Sequence, residues 1–108
     1  MSSDQKRLDD FVDKAIADLA AAMSAPLVSI GDTLGYYRAL ARSPMTPGQL
    51  ASRTGTNARY AREWLANQAA GGYVDFDAAS GRYMLNDVQA ACLADPHGRI
   101  DLPGAYAV

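Results

Sequence analysis

The sequence predicts a mainly α-helical domain with one small β-hairpin: a winged helix-turn-helix preceded by two N-terminal helices. Three observations lead there. Alanine supplies 21 residues against 10 Leu, 5 Val and 3 Ile, and alanine loses no side-chain entropy in a helix. Residues 46–57 carry two helix starts separated by a glycine turn. Gly71-Gly72 then precedes two short alternating segments that read as a hairpin. Few β-branched residues exclude an all-β fold. At 108 residues the chain has the size of one domain.

The first helix rests on Leu8, Phe11, Val12, Ala15, Ile16, Leu19, Ala22 and Met23, an apolar stripe of helical period. The opposite face carries Lys6, Asp9, Asp10, Asp13, Lys14 and Asp18, a solvated face with an acid before a base at Asp10 and Lys14. Ser24-Ala25-Pro26 reads as a restart, with Ser as N-cap and Pro in the first turn. A second helix over residues 27–41 would turn Leu27, Ile30, Leu34, Tyr37 and Leu40 inward. Gly31 and Gly35 interrupt it, and each costs about 1 kcal/mol relative to alanine, which suggests a kink or a close approach by another backbone or a ligand.

Thr46-Pro47-Gly48-Gln49 has the capping-box pattern and starts a short helix carrying Leu50 and Ala51. Gly55 ends it, and Thr56 or Asn57 caps a longer helix over residues 58–70. Tyr60, Trp64, Leu65 and Ala69 fall at helical spacing there, as core residues do. A strand over 73–77, a loop ending at Gly81 and a strand over 82–85 make the wing. Asn86 caps a last helix with Val88, Ala91, Cys92 and Leu93, closed by Asp95-Pro96. The expected division is residues 1–23 as a dimerisation helix, 24–95 as the winged-helix domain, and 96–108 as a connector. Within the second unit the helix-turn-helix spans 46–70 and the wing 73–85.

Charge and cysteine usage restrict the chemistry. The formal net charge is −2, so no global basic field draws in nucleic acid or an anionic membrane. Between Thr46 and Met84 four bases face three acids, and Asp75 and Asp77 sit on the wing where a phosphate would lie. Asn57, Arg59 and Arg62 are the residues that would reach base edges if the chain were instead a DNA-binding regulator. A lone cysteine fits a reducing compartment, the polar residues 1–10 are no signal peptide, and no stretch approaches a transmembrane span. A cytoplasmic protein without membrane contact is expected. His97 is the only histidine, Cys92 has packing neighbours, and no glycine-rich loop follows a strand. No catalytic, cofactor-binding or metal-ligating residue is therefore assigned.

Three runs carry a family resemblance: Ile30-Gly31-Asp32-Thr33-Leu34-Gly35-Tyr36-Tyr37, Arg53-Thr54-Gly55-Thr56, and Arg59-Tyr60-Ala61-Arg62-Glu63-Trp64-Leu65 before Gly72-Tyr73-Val74. In order and spacing they resemble the N-terminal winged-helix domain of bacterial class I S-adenosylmethionine-dependent methyltransferases. The resemblance implies a domain that mediates dimerisation and forms one wall of a substrate pocket. It makes Leu27, Ile30, Gly31, Leu34 and Tyr37 the residues to place nearest a small-molecule acceptor. It also implies a Rossmann-like partner domain that holds S-adenosylmethionine. The acidic-x-Gly-x-Gly loop of that domain does not occur in these 108 residues. The expectation is therefore a truncated or isolated domain that binds no cofactor alone, and that forms a homodimer or docks to a methyltransferase domain.

Overall fold

The computed structural model describes residues 2–98 and 100–106. Helix α1 spans Ser3–Leu34, α2 Tyr36–Arg42, α3 Pro47–Thr54 and α4 Ala58–Ala70. Strands β1, Asp75–Asp77, and β2, Arg82–Met84, follow, then helices α5, Asp87–Leu93, and α6, Leu102–Tyr106. Helices α3 and α4 form the helix-turn-helix, and β1 with β2 the wing.

The two helices expected before the helix-turn-helix are α1 and α2, but the break between them lies at Gly35 and not at residues 24–26. Helix α1 runs unbroken through Ser24, Ala25 and Pro26, so no helix starts at Ser24 and the boundary at 23/24 falls inside a helix. Pro26 donates no backbone bond to Ala22, yet both residues are exposed, so water can serve the freed carbonyl. The break comes instead at Gly35, whose φ of 80° is left-handed and whose N–H closes onto the carbonyls of Asp32 and Gly31. The Arg38 guanidinium sits on this terminus, 3.1 Å from the Asp32 carbonyl oxygen and 3.3 Å from its carboxylate. A cation there complements the helix dipole.

The stripe of α1 does not enter the fold. Leu8, Phe11, Val12, Ile16 and Leu19 are between 44% and 69% exposed. Lys6 to Asp10 and Lys14 to Asp18 pair along the polar face at 2.9 and 2.6 Å. At that exposure each contributes only a few tenths of a kcal/mol. An 18-residue window of α1 with mean hydropathy 1.3 meets the length and composition of a membrane span, because its alanines raise the average. The sequence expectation that no stretch approaches one fails on that criterion.

The core lies where α2, α3 and α4 meet the C-terminal part of α1. Tyr36, Tyr37, Leu40, Leu50, Trp64, Leu65 and Val74 are all at most 2% exposed. The Trp64 ring lies 4.8 Å from Tyr36 and 5.1 Å from Tyr37, tilted and edge-on. These are the offset geometries that aromatic quadrupoles favour. The capping box at Thr46/Gln49 and the cap at Asn86 form as expected, the latter also as a capping box with Gln89, and Asn57 caps α4.

The wing is shorter than predicted. Tyr73 and Val74 donate their N–H groups to the Gln68 carbonyl at 2.9 and 3.3 Å, closing the end of α4 instead of extending the strand. The pairing is antiparallel, with Phe76 opposite Tyr83. Met45 bridges to β2 from outside the hairpin, exchanging bonds with Tyr83 at 2.9 and 2.7 Å and fastening the hairpin to the segment before α3.

The expected connector over 96–108 contains α6, which packs on α1 and α5. Leu102 joins the core, Pro103 is buried, and Asp101 accepts the Gly104 N–H at 3.1 Å. Burial of that Leu-Pro pair, which composition alone disguised as linker, is the reason.

Candidate functional site

A mainly apolar depression lies between α1 and α4. Tyr60, Glu63, Trp64 and Asn67 recur at helical spacing on one face of α4 and meet Leu27 of α1 around an open cleft of about 280 Å³. The Trp64 indole donates to the Leu27 carbonyl at 2.9 Å, which fixes the ring as the floor. Gly31 is what lets the helices come so close, since a Cβ there would lie 2.2 Å from the Trp64 ring. Half-exposed Tyr60 supplies a phenol, Glu63 a carboxylate and Asn67 an amide. A flat apolar ligand could lie on Leu27 and Trp64 while these groups bond its polar edge.

The five residues assigned to a substrate wall are not all together. Leu27 lines this cleft and Gly31 abuts its tryptophan. Ile30 is 37% exposed on α1, and half-buried Leu34 lines a different depression near Gly35 and Arg38. Tyr37 is fully buried and donates its hydroxyl to the Gln68 side-chain oxygen. Tyr60, Glu63, Trp64 and Asn67 were not assigned to a pocket from the sequence. Their i, i+3, i+4, i+7 spacing was the available signal, but core packing leaves the same mark.

Of the base-reading candidates, Asn57 uses its side-chain oxygen to accept the N–H groups of Arg59 and Tyr60 at 2.9 and 3.1 Å. Arg59 and Arg62 are exposed on α4, without ion pairs among the described residues. The wing acids are engaged locally. Asp75 accepts from Gln89 at 2.9 Å, and Asp77 accepts from Ser80 at 2.6 Å and the Ala79 N–H at 3.2 Å. The Ser80 hydroxyl and the Ala79 N–H hold the Asp77 carboxyl below the usual carboxylate range. Cys92 is half-buried on α5. No group of three or more His, Cys, Asp or Glu side chains suited to a metal ion occurs among the described residues.

Comparison with known proteins gives the arrangement its context. The sequence matches the Rv2258c-like winged HTH domain over residues 21–95. No curated protein matches the chain by sequence. Among solved structures it is similar to CalO1, a methyltransferase in calicheamicin biosynthesis in its SAH-bound form. The identity is 28% and the TM-score 0.61, over 84% of this chain and 25% of that one. It is similar to the mitomycin 7-O-methyltransferase MmcR at 25% identity and a TM-score of 0.69, over 84% of this chain and 27% of that one. PigF with SAH shares the fold, with 20% identity and a TM-score of 0.73, over 87% of this chain and 27% of that one. The chain thus spans about a quarter of the length of the solved proteins it matches.

Proposed function

Since this chain belongs to the Rv2258c-like winged HTH domain family and resembles the N-terminal region of SAM-dependent methyltransferases, we propose that it is the dimerisation and substrate-wall module of such an enzyme. In this reading it transfers no methyl group by itself. A Rossmann-like partner domain supplies S-adenosylmethionine, and the winged domain supplies one side of the acceptor pocket. The observation that carries the reading is the unpartnered stripe Leu8, Phe11, Val12, Ile16 and Leu19. Each such side chain gains about 1.5–3 kcal/mol when fully buried. A second α1, presenting the same stripe, covers it with matched chemistry.

The acceptor wall falls at the α1–α4 cleft, where Leu27 and the Gly31–Trp64 contact meet the polar groups of Tyr60, Glu63 and Asn67. Of the other candidates on α1, Ile30 is exposed and Leu34 lines a separate depression, while Tyr37 supports the wall from the core through its contact with the Trp64 ring. Such a surface suits an aromatic or polycyclic acceptor that carries hydroxyl groups. Light scattering at micromolar concentration tests the assembly. Twice the 11.5 kDa chain mass is expected, reverting to one chain in Phe11→Asp/Ile16→Asp with its helical circular dichroism retained. A monomeric mass for the unmodified chain overturns the dimerisation role.

A further inference from the structure

Acids and bases are segregated along this chain. Between Asp32 and Glu63 lie five arginines and no acidic residue. Folding brings Arg53 of that stretch and Arg82 of the wing to one cleft of about 500 Å³, also lined by Ser43, Gln49 and Ser52. A neighbouring depression of about 320 Å³ shares Arg53 and adds Arg38 and Arg42. No acidic side chain lines either one among the described residues. Arg38 is already matched by Asp32, whereas Arg42, Arg53 and Arg82 make no side-chain ion pair or hydrogen bond among the described residues. Asp77, the cross-strand partner of Arg82, turns its carboxylate to Ser80 and Ala79 instead.

The donors are also partly set in place. The Gln49 side-chain oxygen accepts the Thr46 N–H at 2.9 Å, so its amide nitrogen is left as a donor. Two guanidinium forks, two hydroxyls and one amide with no competing carboxylate make the complement of a small oxyanion. The geometry points to a phosphate-binding site at Arg53 and Arg82, with Gln49, Ser43 and Ser52 as supporting donors and Arg42 nearby. Its ligand is a phosphate monoester or inorganic phosphate. Duplex DNA fits less well, because Arg59 and Arg62 of α4 line neither depression. The basic surface is thus a pocket and not a track along a backbone. The inference does not depend on the dimerisation reading.

Titration of the ¹⁵N-labelled full chain with inorganic phosphate, followed by NMR, tests it. Saturable shifts are expected at the amides of Gln49, Ser52, Arg53 and Arg82. In Arg53→Gln/Arg82→Gln the affinity should fall about tenfold or more, as loss of charge-assisted bonds requires, while Arg59→Gln/Arg62→Gln keeps it. Both pairs are on the surface, and Arg53→Lys, which keeps charge but loses the fork, should weaken binding in a chain of unchanged melting temperature. Shifts that do not saturate, or that persist undiminished in Arg53→Gln/Arg82→Gln, overturn the site. Displacement of the bound phosphate by an equimolar short DNA duplex overturns the assignment to a small ligand.

Discussion

Gly31 and Trp64 set the α1–α4 distance. The space that a Gly31 Cβ would need is filled by Trp64 ring carbons at 2.2 and 2.8 Å. Gly31→Ala gains about 1 kcal/mol of helix propensity but overpacks a ring locked by its bond to Leu27, at a cost of about 1–3 kcal/mol. A net loss of stability, visible as a lower urea midpoint, is expected, together with a changed tryptophan fluorescence. The sequence suggests a kink or a close approach by a backbone or a ligand at Gly31, whereas the close neighbour is the side chain of a tryptophan 33 positions away, which no local signal could name. Asp77 supports a second prediction. Its carboxyl is lowered in the folded chain, so the stabilisation is present above the ordinary carboxylate range and is lost as pH falls through the folded value. In Ser80→Ala the Asp77 titration followed by carboxyl-carbon NMR should move back towards the ordinary value, since the largest cause of the lowering is gone.

Elements with local signals were legible. The Thr46 and Asn86 capping boxes and the Asn57 cap are written in adjacent residues, and those helix starts fall where expected. Where a distant group competes, local rules failed. Pro26 looked like a start because proline favours a first turn, but helix α1 continues past it to reach the core through Val28 and Leu34. The wing lost two residues to the Gln68 carbonyl for the same kind of reason. The continuous helix predicts the effect of Pro26→Ala. Restoring the bond to Ala22 recovers part of the roughly 3 kcal/mol that an interior proline costs, less the entropy that alanine returns to the unfolded chain. Increased helicity and a higher melting temperature are expected. A true helix boundary at residues 24–26 would give no gain.

At the scale of the molecule, the radius of gyration is 16.0 Å and the extents are 51 × 33 × 24 Å, against about 13 Å expected for a compact chain of this size. The excess reflects a 32-residue helix in a domain whose other elements are short. Its exposed stripe makes the stability of the chain depend on what covers it. If two copies do so, the melting temperature rises with protein concentration, and a dilution series by differential scanning fluorimetry should show that slope, which Phe11→Asp/Ile16→Asp removes. The winged body was readable from sequence because its core residues, caps and turns are close together. The cleft was not, since its walls come from helices more than 30 residues apart.

The proline in α1 has a consequence for cooperativity. A helix propagates because each residue fixed adds one ladder bond, and at Pro26 the ladder lacks a rung. The turns before it and those after it are thereby uncoupled at one point into separate opening units. The C-terminal unit shares the free energy of the winged body through Val28, Gly31 and Trp64. The N-terminal unit draws its protection from whatever lies on its apolar stripe, and its amides should exchange with solvent at a rate set by that contact and not by global unfolding.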